Sequence, residues 1–446
     1  MSGNGEQNVK KIPEDEYRKK AIRLLFLRET YRRSLVENLP SNSIPATKED
    51  LDKLKKHYSI AAALKAEDKL SRKHEKEYIV PQLARRKHFF PFDRNMTQFE
   101  GYTSSSWVKE FNSDQWWIAT RMPQELLLHR FFSMFFDRKE RPPDVPRYLG
   151  PIRTVVQLND VDSGDIGPYF LQKLNTSKVV EDKLTQKESI KVTVIEQETR
   201  EKENCVRRMI ELRKGNLCTY FIHLQFRNWP DKEVPEQPEK FLRFIKLVHA
   251  NNRRDDGLSP PIVGHCSAGI GRTGVLIAAS ALLNSVGREV PRYGSILGPF
   301  PPDITDRVTY GIDSLKEQRH RMVQGDKQLN FLYDFDKLVR QRSRDQPKAI
   351  ASGTSQGGQS NDNIISQPLK KTASHSSGTK SHVARSTMAA SSSGQKQVRS
   401  SSPTRHSTVT RAQTEPVQPR KNRKSCTSII GKVFRKKPDD KKRQQR

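Results

Sequence analysis

Residues 261–274 read Pro-Ile-Val-Gly-His-Cys-Ser-Ala-Gly-Ile-Gly-Arg-Thr-Gly, which sets Cys266 and Arg272 six residues apart. The apolar run Pro261 to Val263 predicts a short buried strand, and Thr273 to Val286 predicts a buried helix. A glycine-punctuated loop joins them. A strand, a glycine-rich turn and a helix N-terminus make an oxyanion cradle, because successive N–H groups point inward and the helix dipole adds positive potential. A thiol in that place, beside a fixed cation, ionises well below its ordinary value of about 8.5. Cys266 is therefore a candidate nucleophile that needs no adjacent base. The planar fork of Arg272 can hold two oxygens of a phosphoryl group. Gly269 and Gly271 let the backbone approach an anion with no Cβ in the way. The Thr273 hydroxyl can donate to the sulfur and ease its later departure. A structural cysteine buried in an unrelated strand–turn–helix is the plainer alternative.

The rest of the chain must hold that loop. Trp116 to Thr120 and Thr154 to Leu158 read as strands, with a helix from Gln124 to Phe136 between them. Ile190 to Ile195, Val206 to Leu212 and Thr219 to Phe226 continue as strands. Phe241, Phe244, Ile245 and Val248 form one face of a helix that begins near Pro238. Thr309 to Phe335 reads as helical or nearly so. Strands mixed with helices around a central apolar strand predict an α/β (α+β-like) domain, its twisted mixed sheet flanked by helices. Upstream, Glu14 to Leu39 reads as a charged amphipathic helix, with Ile22, Leu25, Phe26, Tyr31 and Leu35 among its apolar positions. Thr47 with Asp50 resembles a capping box, opening a lysine-rich helical stretch to about Tyr78. These helices either dock on the following domain or form a separate arm, and docking is the favoured expectation.

The 446 residues carry 81 Lys+Arg against 51 Asp+Glu. That balance favours phosphorylated, nucleic-acid or anionic-lipid partners without choosing among them. The four cysteines, Cys205, Cys218, Cys266 and Cys426, suggest neither a disulfide framework nor a zinc site. A reducing compartment follows as the simpler expectation. The first twenty residues lack the apolar core of a signal peptide, and Thr273 to Val286 is too short to span a bilayer. A soluble intracellular protein is expected. After about Gln346, Ser, Thr, Gly and Gln dominate, and basic residues outnumber acidic ones. Residues 346–446 are thus expected to form a disordered basic tail.

The run from His265 to Gly274 resembles the signature loop of the protein tyrosine phosphatases, His-Cys-x5-Arg-Ser/Thr-Gly. The resemblance implies that Cys266 attacks phosphorus while the N–H groups of Ser267, Ala268, Gly269, Ile270, Gly271 and Arg272 bind the phosphoryl oxygens, with His265 in support. Trp229-Pro230-Asp231 lies where the family has a mobile acid loop. Asp231 would protonate the leaving phenol, a poor leaving group near pKa 10, and then deprotonate water. Gln318 to Gln328 resembles the family's Gln-Arg-x-x-Met-Val-Gln-Thr-x-x-Gln stretch, implying that Gln328 places the hydrolytic water and Gln324 assists. Tyr102 to Ser106 and Ile118 to Pro123 resemble scaffold segments, so the likeness covers roughly residues 85–340.

The sequence also departs from the family. Gly325 replaces the usual Thr, which predicts a looser loop. Pro91-Phe92-Asp93 matches the family's Pro-Tyr-Asp, but His88 and Arg86 stand at the Asp and aromatic positions of its phosphotyrosine-recognition loop. Asp165 replaces a lysine that helps hold the closed acid loop, and Asp160 falls where a family Glu braces the arginine. The expectation is a charged helical extension (1–84), a catalytic domain (85–345) and the tail. The domain would be a non-receptor phosphatase acting on tyrosine-phosphorylated proteins, needing no metal or cofactor. A phosphotyrosine-binding pseudophosphatase is the alternative. The tail would meet an acidic protein, lipid surface or RNA, and the protein would be cytoplasmic, with a nuclear share through the tail.

Overall fold

The computed structural model describes residues 12–38, 47–73, 90–97, 104–136, 141, 144–159, 169–170 and 173–345. Eight strands form one sheet: β1 (Ser105–Lys109), β2 (Trp116–Arg121), β3 (Thr154–Gln157), β4 (Ser177–Val180), β5 (Ile190–Arg200), β6 (Cys205–Lys214), β7 (Leu217–Phe226) and β8 (Ile262–Cys266). Their order is β1-β2-β8-β3-β7-β6-β5-β4. β2, β8, β3 and β7 run parallel, while β1 at one side and β6, β5 and β4 at the other are antiparallel additions. The helices are α1 (Glu14–Glu37), α2 (Lys48–His57), α3 (Ala61–Lys73), α4 (Leu128–Ser133), α5 (Pro238–Asn252), α6 (Gly271–Asn284), α7 (Arg307–Gln318) and α8 (Gly325–Asp345). The expected α/β architecture with a mixed central sheet is what the chain adopts.

The period-two geometry of strands sorts side chains onto the two faces. Trp117, Ala119, Val156 and Ile262 enter the core beneath α5, α6 and α8, with Phe241, Phe244, Leu276 and Leu332. Ile118, Val155 and Val263 point the other way, to Phe131, Phe132, Tyr169 and Phe221. β8 is covered on both faces and paired on both edges, and all five of its residues are buried. A strand buried on every side reads as a short apolar run, which is why it is visible in the sequence.

Several elements differ from expectation. β1 and β4 carry no strong apolar alternation and were not anticipated. The helix expected over Gln124–Phe136 is a 3-10 turn at Glu125–Leu127 followed by the six residues of α4. Thr309–Phe335 is interrupted, because residues 319–324 leave helical geometry between α7 and α8, with Arg321 and Val323 at positive φ. The lysine-rich stretch is two helices. The Thr47 hydroxyl caps α2 as its spacing predicts, accepting from Asp50 N at 3.1 Å. α3 is capped from a distance: Asp93 accepts from Ala62 N at 3.0 Å and from Ala63 N at 3.3 Å.

α1 docks by charge as much as by apolar burial. Phe26 is 70% exposed, whereas Arg32 is fully buried. Arg32 Nη2 donates to Asp313 at 2.6 Å and to Glu317 at 2.8 Å, and Arg28 Nε reaches the second Asp313 oxygen at 3.1 Å. Glu29 lies 2.5 Å from His320 Nδ1 and 3.4 Å from Lys316 Nζ. Burial alone would raise the Glu29 carboxyl, but Lys316, His320 and Arg32 hold it well below the usual carboxylate range. Lys316 in turn donates to the Val323 carbonyl at 3.2 Å, so the network ends in the loop before Gln324.

No helix among the described residues is long and apolar enough to cross a membrane. Removing one partner of a buried pair strands the other charge, at a cost of about 3–5 kcal/mol. Arg32→Ala should therefore lower unfolding free energy by about that amount in urea titrations followed by circular dichroism. A loss below about 1 kcal/mol, the range of an exposed pair, would show that α1 is not held this way.

Candidate active site

Cys266 is the last residue of β8, at the carboxyl end of the parallel strands, where open α/β sheets leave a crevice. Its carbonyl accepts from Met122 N at 2.9 Å, so β2 holds the strand to its end. The chain then turns sharply. Gly269 has φ +69°, and a Cβ there would lie 2.1 Å from the Thr120 carbonyl oxygen. Only glycine fits both the torsion and the approach. The Gly269 N–H donates to Cys266 Sγ at 3.3 Å. α6 starts two residues later, and Ile270 O accepts from Gly274 N at 2.9 Å and from Val323 N at 3.1 Å. A Cβ on Gly274 would meet Val323 N at 2.3 Å, so the loop after α7 lies directly behind the cradle.

Arg272 is buried and three groups hold its fork. Nη2 donates to Ser267 Oγ at 3.0 Å, Nη1 donates to the Trp229 carbonyl at 2.9 Å, and Nη2 lies 3.2 Å from Asp231 Oδ1. Its Nε is buried with no partner among the described residues. Burial pushes the Cys266 thiol up, but the Arg272 cation, the Thr273 hydroxyl and the N–H groups of Thr273 and Ile270 outweigh it, and the thiol lies below its ordinary value. The Thr273 hydroxyl is buried beside the sulfur and has no other hydrogen-bond partner among the described residues. Burial first and Arg272 second push His265 down to about 3, so this ring is neutral. Its Nε2 meets the Tyr169 hydroxyl at 3.1 Å.

The Trp229-Pro230-Asp231 segment folds over the cleft. Trp229 is buried, and its Nε1 donates to the Glu233 carbonyl at 2.8 Å. The Asp231 side chain stays 64% exposed, with its carboxylate at Arg272. In the first turn of α8, Gln328 is fully buried. Its Oε1 accepts from Gln324 N at 2.8 Å, and its Nε2 donates to the Glu233 carbonyl at 3.2 Å. The Gln324 side chain lies over Gly271, where an added Cβ would be 2.7 Å from Oε1. Gly325 has φ +74°, which suits the residue found there.

The structure thus brings Cys266, Ser267, Ala268, Gly269, Ile270, Gly271, Arg272, Thr273, Trp229, Pro230, Asp231, Gln324 and Gln328 around one cleft, with His265 beneath. Asp160, Asp165, Arg86 and His88 lie outside the described residues. Phe92 and Asp93 serve structure: the ring is buried 5.3 Å from that of Tyr58, and the carboxylate caps α3. Sequence reasoning assigned no role to Arg319, which is buried and grips the back of the cradle. Its Nε donates to the Gly269 carbonyl at 3.0 Å and its Nη1 to Ser106 Oγ at 3.0 Å. Its place inside the Gln318–Gln328 motif was the available signal. Glu233 and Lys327 were also missed, and no local pattern marks them.

Residues 80–335 match the family model described as protein-tyrosine phosphatase. The chain is 41% identical over 112 residues to a Tyrosine-protein phosphatase Lar-like of Caenorhabditis elegans, covering 25% of this chain and 4% of that protein. It is 36% identical over 137 residues to Tyrosine-protein phosphatase non-receptor type 23 of Homo sapiens, covering 30% of this chain and 8% of that protein. A third relative, Receptor-type tyrosine-protein phosphatase S of Gallus gallus, is 40% identical over 110 residues, or 25% of this chain and 6% of its own length. The chain therefore spans only a small part of these relatives. The family match leaves out α1, α2 and α3, although α1 packs on α7. With more than half of its residues matched, the chain belongs to the protein-tyrosine phosphatase family.

Proposed function

We propose that this chain hydrolyses phosphotyrosine in proteins through a cysteinyl-phosphate intermediate. The observation that carries the reading is the Cys266 thiol, held below its ordinary value in a cradle whose Arg272 also touches Asp231 at 3.2 Å. An incoming phosphate takes over Nη2 of Arg272 and displaces the Asp231 carboxylate, while Nη1 stays on the Trp229 carbonyl. The protonated carboxyl is the form that can remain beside the bound anion. Cys266 forms the S–P bond as the P–O bond to tyrosine breaks, and Asp231 delivers its proton to the phenol oxygen. Gln328 and Gln324 then orient a water, Asp231 takes its proton, the S–P bond breaks to phosphate, and the thiolate returns. Fixed N–H groups and Arg272 supply charge stabilisation through both steps. The expectation that Asp160 braces Arg272 would supply the acceptor that the buried Nε lacks.

A phosphotyrosine-binding module with little turnover is the second reading. The departures in sequence motivate it: Gly325 stands where the family has threonine, and Arg86 and His88 stand at the aromatic and Asp positions of the recognition loop.

Both readings are separated by assaying the full chain on a phosphotyrosine and a phosphoserine peptide. Turnover of phosphotyrosine alone is expected, abolished in Cys266→Ser and slowed about 10²–10⁴-fold in kcat by Asp231→Ala. Binding of the phosphotyrosine peptide without turnover would move the assignment to the binding module, and equal activity in Cys266→Ser would overturn both.

A second prediction needs no substrate. Arg272→Ala removes the cation and leaves the burial, so the Cys266 thiol must rise. Iodoacetamide labelling of Cys266 at pH 6.5 should slow at least about tenfold, the effect of one pKa unit. Unchanged labelling would show that Arg272 does not set the thiolate.

A further inference from the structure

The acid loop carries an ionic tether of its own, outside the phosphate cradle. Glu233, two residues after Asp231, receives Lys327 Nζ at 2.8 Å and 3.0 Å on its two carboxylate oxygens. Its carbonyl accepts from Trp229 Nε1 at 2.8 Å and from Gln328 Nε2 at 3.2 Å. Lys327 precedes Gln328 in α8, so one residue of the acid loop is joined by backbone and side chain to the turn that carries the water-placing glutamine.

The remaining ties are weaker candidates for holding the loop while substrate is bound. Arg272 releases Asp231 when phosphate takes its Nη2, which leaves Nη1 on the Trp229 carbonyl. Between Asp231 and Glu233, Lys232 sits at φ +64°, a left-handed torsion that strains a residue with a Cβ. That strain favours release, and the tether opposes it. Among the described residues, the Glu233–Lys327 pair is the ionic tie on this loop that does not depend on what occupies the cleft.

We propose that Glu233 and Lys327 are a positioning pair that keeps the acid loop docked over Cys266 during catalysis and so makes docking, and with it kcat, sensitive to ionic strength. The proposal rests on the phosphatase reading for its effect on kcat, but docking itself does not. Both side chains are partly exposed, so the tether is of modest strength and screened by salt. A modest tie is what a loop needs if it must also open to release product.

The test compares the full chain with Lys327→Glu, Glu233→Lys and the double charge swap. Hydrogen exchange of residues 229–236 reads docking, and kcat and KM on a phosphotyrosine peptide read its consequence. Each single reversal should speed exchange and lower kcat about three- to tenfold with KM little changed, and the swap should return both to within about twofold. Raising KCl from about 0.05 M to about 0.5 M should lower kcat of the wild type and leave Lys327→Gln flat. Unchanged exchange in Lys327→Glu, or a swap that recovers neither quantity, would overturn the proposal. Exchange that follows the charges in a protein without turnover would uphold the tether and sink the phosphatase reading instead.

Discussion

The structure turns on where one guanidinium is held. Arg272 stabilises the Cys266 thiolate, meets Ser267 across the cradle, binds the Trp229 carbonyl and pairs with Asp231. A buried cation is costly unless paired and hydrogen-bonded, and the Trp229–Asp231 segment meets that demand for Arg272. On the proposed phosphatase reading, the negative charge that phosphate would bring is already mimicked by Asp231. On that reading, substrate binding is an exchange of one oxyanion for another at a fixed donor.

Holding the guanidinium requires holding the backbone that bends around it. The strand, loop and helix from Ile262 to Asn284 cannot do this alone. β2 closes on Gly269 from one side, and the loop after α7 closes on Gly274 from the other. Arg319 then ties the Gly269 carbonyl to Ser106 of β1. The cradle is therefore the meeting point of three chain segments that are distant in sequence, and its rigidity is a tertiary property.

This division explains what was legible in the sequence. β8, the turn and α6 form a local pattern, and Cys266 and Arg272 both belong to it, so their chemistry could be read from spacing. α5 and β3 announce themselves by apolar periodicity. β1, reading Ser-Ser-Trp-Val-Lys, does not, because its serines are buried by their neighbours and not by their own character. The break between α2 and α3 was invisible because its cap, Asp93, comes from a distant part of the chain. Phe26, one of the apolar positions of α1, faces solvent, while Arg32 lies at zero exposure. Hydropathy patterns find a face that docks by apolar area and miss one that docks by paired charge. Glu233 and Lys327 were hidden for the same reason, being ordinary surface residues until the fold brings them together.

The buried network under α1 enlarges the unit on which the cradle depends. The family match begins at residue 80, yet Glu29 is held between Lys316 and His320. Lys316 reaches the Val323 carbonyl, and Val323 N donates to the Ile270 carbonyl at the start of α6. A chain cut at the family boundary would leave Asp313, Glu317, Lys316 and His320 without their partners from α1. Charges that were buried in pairs would then face water or each other beside the loop that carries Gln324. α1 is therefore part of the physical unit that holds the cradle, even though the likeness to the family does not reach it.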